Sequence, residues 1–125
     1  MLVVDTSSWI EWLTDSPVGL RIEALLPARE QIIVPTLVQL ELAKWLLRTR
    51  GEEIADQVLA YTEKCHVIAL DSGLAILAAE LSRQYGLATA DAIIFATAQQ
   101  AGAGLLTCDA HFDGLPGVTY ISKNE

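Results

Sequence analysis

Five short apolar runs, the first three followed by helix-start chemistry, constrain this chain more than any other feature. They are Leu2-Val-Val-Asp5, Gln31-Ile-Ile-Val-Pro35, His66-Val-Ile-Ala-Leu70, Gly104-Leu-Leu-Thr-Cys108 and Val118-Thr-Tyr-Ile121. Runs this short suit strands. The stretches between the first four carry helical periodicity, and three of the helices stop at Gly51, Gly86 and Gly102. The spacing predicts helices from Ser8, from Pro17 to about Leu26, from Thr36 to Arg48, from Glu52 to about Lys64, from Ser72 to Gly86 and from Thr89 to Gly102. Ser8-Trp-Ile-Glu11 fits a capping box, Asp71-Ser72 and Thr89 fit caps, and Pro17 suits a first turn. Strands that alternate with helices and lack a polar face are buried on both sides, which predicts a parallel α/β sheet covered by helices. In such sheets ligands bind beyond the C-terminal strand ends, where strand order reverses.

The 125 residues fit one domain spanning 1–125, and 52% apolar content supplies a core. No run is long enough to span a bilayer. The start, Met1 to Asp5, has neither a basic nor a long apolar segment, so no signal peptide is expected. Cys65 and Cys108 show no metal or disulfide spacing and read as inert thiols of a reducing compartment. The expected location is therefore the cytoplasm. A net charge of −8 argues against bulk attraction to nucleic acid. That argument weakens if several of the sixteen carboxylates surround a divalent cation.

Four carboxylates sit where carboxylates are awkward. Asp5 ends the first strand; taken singly it reads equally as a helix cap. Glu41 lies on the apolar stripe of its helix, with Leu37, Val38 and Trp45 as i−4, i−3 and i+4 neighbours. A buried carboxylate there needs a pair or a metal, unless it lies at the stripe's edge beside Lys44 or Arg48. Asp91 falls in a first helical turn among apolar residues, where the helix dipole alone would also favour it. Asp109 ends the fourth strand and shares a strand face with Thr107. The turn that follows, Asp-Ala-His-Phe-Asp113-Gly, reads otherwise as surface. Converging carboxylates repel one another unless a cation is present. An oxygen donor set with no His or Cys cluster suits Mg²⁺ or Mn²⁺.

In this order the segments Asp5-Thr-Ser-Ser, Pro35-Thr-Leu-Val-Gln-Leu-Glu41-Leu, Ala90-Asp91-Ala-Ile-Ile-Phe-Ala-Thr-Ala and Leu106-Thr-Cys-Asp109-Ala-His-Phe resemble the four motifs of the PIN-domain family, in particular its VapC-type toxin ribonucleases. The resemblance covers the whole chain. It implies a three-layer α/β/α fold with about five parallel strands in the order 3-2-1-4-5. It implies an acidic quartet of Asp5, Glu41, Asp91 and Asp109, with Thr107 as the accompanying hydroxyl and Asp113 as an occasional fifth acid. It further implies Mg²⁺- or Mn²⁺-dependent endoribonuclease chemistry leaving 5′-phosphate and 3′-hydroxyl ends, with Asp5, Asp91, Asp109 and Glu41 holding the metal. The implied partners are RNA, a small VapB-like antitoxin and a second copy of the chain. Arg21, Lys44, Arg48 and Arg50 are candidates to track an RNA backbone, and Trp9, Trp12 and Trp45 are candidate antitoxin anchors.

Other readings compete. A receiver-type phosphoacceptor domain has a similar doubly wound sheet, and Asp71, Thr107 and Lys123 mimic its site. It leaves Glu41, Asp91 and Asp109 unexplained. A haloacid-dehalogenase-like phosphatase wants a second Asp where Ser7 stands. A PIN scaffold used for binding without catalysis is the non-enzyme alternative.

Overall fold

The computed structural model describes residues 1–124. Five parallel strands form one sheet in the order β3-β2-β1-β4-β5. They are β1 (Leu2–Val4), β2 (Ile32–Pro35), β3 (His66–Ile68), β4 (Gly104–Thr107) and β5 (Val118–Tyr120). The helices are α1 (Thr6–Leu13), α2 (Pro17–Leu25), α3 (Thr36–Thr49), α4 (Glu52–Glu63), α5 (Ser72–Tyr85) and α6 (Thr89–Ala101). They pack as neighbouring pairs, α1 with α2, α3 with α4, and α5 with α6. This is the three-layer α/β/α arrangement in the expected strand order.

The apolar runs explain the sheet. Val3, Val4, Ile33, Val34 and Leu105 are fully or almost fully buried in the main core, with Trp9, Val38, Leu42, Phe95 and Phe112 packed around them. Leu106 turns instead into a smaller cluster with Val18 and Ile22 of α2 and Ile121. Leu105 and Leu106 therefore feed two different packing layers, as adjacent strand residues must. Left-handed Gly86 and Gly102 end α5 and α6. Both cysteines are free thiols, and burial raises the pKa of each.

Three local expectations are corrected. The capping box at Ser8–Glu11 does not form. The carbonyl of Asp5 already accepts from the backbone N–H groups of Ser8 and Trp9, so α1 starts at Thr6. The buried Ser8 hydroxyl instead donates to the Leu106 carbonyl at 3.2 Å. Thr89 is the first residue of α6 and not its cap; extended Ala88 holds that position without a side-chain bond. The third strand ends at Ile68, before Leu70. The Leu70 N–H leaves the ladder for the Thr36 hydroxyl at 3.3 Å, and its side chain is exposed.

Candidate active site

Pairing β1 directly with β4 decides where the acids meet. Val4 lies opposite Leu106, so the chain leaves both strands at the same level. Asp5 follows β1, and its N–H still donates to the Leu106 carbonyl at 2.9 Å. Asp109 follows β4 by two residues and opens a single 3₁₀ turn, Ala110–Phe112. Sheet order reverses between β1 and β4, the position at which open α/β sheets bind ligands.

Asp5 occupies the N-cap position of α1, yet its carboxylate makes no capping bond. It turns inward and is only 4% exposed. Its Oδ2 accepts from the Ser7 hydroxyl at 2.7 Å and from the Thr107 hydroxyl at 2.8 Å. Burial pushes the Asp5 carboxyl above the usual range. Bonds from Ser7, Thr107 and the Thr6 backbone pull it back, and the charge of Asp109 adds a further upward push.

Thr107, fully buried, is the hinge of this corner. Its hydroxyl donates to Asp5 and accepts the Asp109 N–H at 2.9 Å. Ser7 works in parallel, accepting the Cys108 N–H at 3.0 Å. Two hydroxyls thus fix a buried carboxylate and the backbone that presents the next one.

Asp91 reaches the site from the first turn of α6. Its side chain is 17% exposed. Burial raises its pKa, the nearby Asp109 raises it further, and His111 opposes both. The His111 Nδ1 lies 3.3 Å from Asp91 Oδ2 and 3.4 Å from Asp109 Oδ1. Its backbone N–H also donates to Asp109 Oδ1 at 2.9 Å. One donor atom from each of Asp91, Asp109 and His111 lies within 4.8 Å of the others.

Glu41, half-buried on α3, receives the Thr6 hydroxyl at 2.7 Å. That bond ties α3 to the start of α1, one residue from Asp5. Lys44, Trp45 and Arg48 continue along the same side of α3 and line a shallow groove with Glu41. Exposed Asp113 lies just past the 3₁₀ turn and outside the Asp91–Asp109–His111 group.

The structure therefore brings Asp5, Thr107 and Asp109 to one corner, sets Asp91 against Asp109, and links Glu41 to that corner through Thr6. Sequence reasoning passed over Thr6, Ser7 and His111 as individual site residues. His111 matters most, because it places a nitrogen donor where an oxygen-only set is expected from the sequence. Its only sequence signal is its position two residues beyond Asp109.

The donor chemistry fits a divalent cation. Two carboxyl groups with raised pKa values, both pushed up in part by the Asp109 carboxylate, mark a site with more negative charge than it can solvate. The phosphoacceptor reading fails on topology. Receiver domains use the order 2-1-3-4-5, whereas here β2 separates β3 from β1, and Asp71 caps α5 by accepting the Leu74 N–H at 2.8 Å.

A family model described as PIN domain matches residues 2–118. The fold is similar to a toxin–antitoxin complex from Klebsiella pneumoniae, with TM-score 0.82 and 22% identity over 95% of this chain and 96% of that one. It is similar to VapC20 of Mycobacterium tuberculosis, described as a sarcin–ricin loop cleaving toxin, with TM-score 0.75 and 21% identity over 94% and 97% of the two chains. It is also similar to a DNA-bound VapBC from Salmonella typhimurium, with TM-score 0.73 and 15% identity over 97% and 96%. No curated protein sequence matches the chain.

Proposed function

The chain belongs to the PIN-domain family, and from that premise we propose that it is a metal-dependent endoribonuclease, the toxin of a toxin–antitoxin pair. Residues 1–125 form its single PIN domain in this reading. The observation that carries it is Asp109 at the β1–β4 switch point, standing against both Asp5 and Asp91, with Thr107 bonded to Asp5 and to the Asp109 backbone.

Asp5, Asp91 and Asp109 would hold Mg²⁺ or Mn²⁺ directly or through water, with Glu41 completing the set and Asp113 as a peripheral acid. When bound, the cation supplies positive charge for a phosphate that becomes more negative during attack, and it favours ionisation of a nearby water. The chain's own groups do the positioning. Thr107 and Ser7 hold Asp5 in one rotamer, Thr107 holds the Asp109 backbone, and Thr6 holds Glu41. Exposed Lys44 and Arg48 flank Glu41 and would carry the RNA backbone toward the acids. Hydrolysis would leave 5′-phosphate and 3′-hydroxyl ends.

The toxin reading draws on the structural neighbours, described as toxin–antitoxin or VapBC structures. By that similarity the partner is a small VapB-like antitoxin, and the protein is a homodimer of the cytoplasm. No helix among the described residues is long and apolar enough to cross a membrane. Trp9 is core, 1% exposed. Trp12 and Tyr61 line an apolar cleft with Leu13 and Val58, where apolar antitoxin residues would pack.

The test is cleavage-site mapping on total cellular RNA with purified, antitoxin-free protein. Discrete cuts in Mg²⁺ or Mn²⁺ that vanish with chelator and in Asp109→Asn support the proposal. Full activity in chelator sinks the metal chemistry. Inertness on every RNA, with tight RNA binding retained, would favour a binding module on the same scaffold.

A further inference from the structure

We propose that His111 is itself a metal ligand, through Nδ1, and that this nitrogen makes the site prefer a first-row transition ion such as Mn²⁺ or Co²⁺ over Mg²⁺. The inference rests on the metal-dependent reading above and adds a donor that the acidic quartet does not contain.

The geometry is specific. His111 Nδ1 faces two carboxylate oxygens from different elements, Asp91 Oδ2 on α6 at 3.3 Å and Asp109 Oδ1 after β4 at 3.4 Å. Charge-assisted N–H···O⁻ bonds run shorter, at about 2.7–2.9 Å. The Nδ1 carries at most one hydrogen and can serve one of these oxygens at a time, whereas a cation bound between them draws on all three donors. A small closing of the three donors would bring these spacings to that of neighbouring ligands round one octahedral ion, about 3 Å when each bond is about 2.1 Å. The backbone helps: the His111 N–H holds Asp109 Oδ1 at 2.9 Å, which fixes that oxygen relative to the ring that follows it. A shallow cleft lined by Leu87, Ala88, Asp91 and His111 leaves the approach open.

The selectivity follows from donor type. Carboxylates and water suit Mg²⁺, which gains little from an imidazole. First-row transition ions accept nitrogen readily, and their affinity rises from Mn²⁺ through Co²⁺ to Ni²⁺. One nitrogen among oxygens should therefore move the balance away from Mg²⁺ without abolishing its binding. The opposing account makes His111 a mere countercharge that sits between Asp91 and Asp109 until a metal displaces it. The two accounts differ in sign. Removing a ligand weakens metal binding; removing a competing cation strengthens it.

The experiment titrates the metal-free full-length protein with Mg²⁺, Mn²⁺ and Co²⁺ by calorimetry, in the wild type and in His111→Ala, His66→Ala and Asp109→Asn. Because the chain has two histidines, His66→Ala isolates the other possible nitrogen. His111→Ala should lose roughly tenfold or more in Co²⁺ affinity, somewhat less for Mn²⁺ and little for Mg²⁺. Pulsed EPR of bound Mn²⁺ should show nitrogen coupling in the wild type and in His66→Ala, and none in His111→Ala. Equal or tighter Co²⁺ binding by His111→Ala, or metal binding without nitrogen coupling in the wild type, overturns the proposal and leaves the metal-dependent reading standing. A wild type that binds no divalent ion at millimolar concentration overturns both. Asp109→Asn should weaken all three ions, which separates loss of the site from loss of its selectivity.

Discussion

The Thr107 hydroxyl donates to Asp5 Oδ2 at 2.8 Å across the β1–β4 pair, and its own oxygen accepts the Asp109 N–H at 2.9 Å. One buried side chain thus sets both the rotamer of the first acid and the backbone of the last. Thr107→Val preserves shape and removes both bonds. Leaving a buried group short of a partner costs about 1–3 kcal/mol, which a urea titration should read as a lower midpoint. Displacing two acids should lower kcat by roughly tenfold to a hundredfold. Thr107→Ser should recover most of both losses. A Val variant that cleaves RNA at the wild-type rate would show that this hydroxyl has no positioning role.

A second prediction concerns Gly19, inside α2. A Cβ built there would lie 2.1 Å from the Glu11 carbonyl oxygen and 2.8 Å from its carbon. The glycine lets α2 approach α1 closely, beside the N-cap bond from the Gly19 N–H to the Ser16 hydroxyl at 2.9 Å. Gly19→Ala should cost about 1–3 kcal/mol through overpacking. Gly73 in α5 is the control, because its Cβ would meet nothing closer than 3.7 Å. Gly73→Ala should be neutral or stabilise by up to about 1 kcal/mol. Thermal melts of the two variants moving in the same direction would contradict this.

The two glycines show why parts of the molecule are legible in sequence and others are not. Strand and helix positions follow from apolar periodicity, and Gly86 and Gly102 mark their helix ends correctly. Strand order carries no local signal; the family resemblance supplies it. Caps fail where two candidates compete. Asp5 takes the N-cap position of α1, leaving Ser8 inside the helix to reach β4. Contacts between distant segments are silent in a single sequence. Nothing near Thr6 announces Glu41, 35 residues away, and nothing near His111 announces Asp91, 20 residues away. Acids stand out because they are awkward in apolar surroundings; hydroxyls and one exposed histidine do not.

Asp91 carries a prediction about pH. Its raised pKa means that the folded state holds a proton more tightly than the unfolded state. Between the ordinary Asp value of about 3.9 and the higher folded value, the native protein binds more protons. Metal-free stability should therefore fall as pH rises through that window. Asp5, also raised, contributes in the same direction. Asp91→Asn removes one contribution, so its stability should fall less with rising pH. At pH 7 without metal it should be at least as stable as the wild type while failing to cleave RNA. Divalent ions should stabilise the wild type, by about 2.7 kcal/mol at a hundred times Kd, and the variant far less. A variant that is much less stable yet active would return Asp91 to a helix-dipole role.

The α3 groove makes the last prediction, because charge has to be local in a chain of net −8. Lys44, Trp45 and Arg48 follow Glu41 at i+3, i+4 and i+7, so one stripe of the helix leads from an acid into cationic side chains. Arg50 lies with its guanidinium 5.4 Å from the Trp45 ring centroid, and so reinforces the aromatic surface instead of extending the stripe. A strand running along this groove would place its phosphates on Lys44 and Arg48 and bring the next linkage toward Asp5 and Asp109. Each phosphate contact on single-stranded nucleic acid contributes about −0.7 to the slope of log K against log salt. Lys44→Ala and Arg48→Ala should each weaken RNA binding and flatten that slope by about this amount, and the double variant by about twice as much. Binding is measured by fluorescence anisotropy with Asp109→Asn as background, so that no substrate is cut. Because both side chains are exposed, the folded state should be unaffected. A double variant with the wild-type slope would mean that RNA does not cross α3. A slope that flattens while cleavage of saturating RNA keeps its rate would assign the stripe to binding alone.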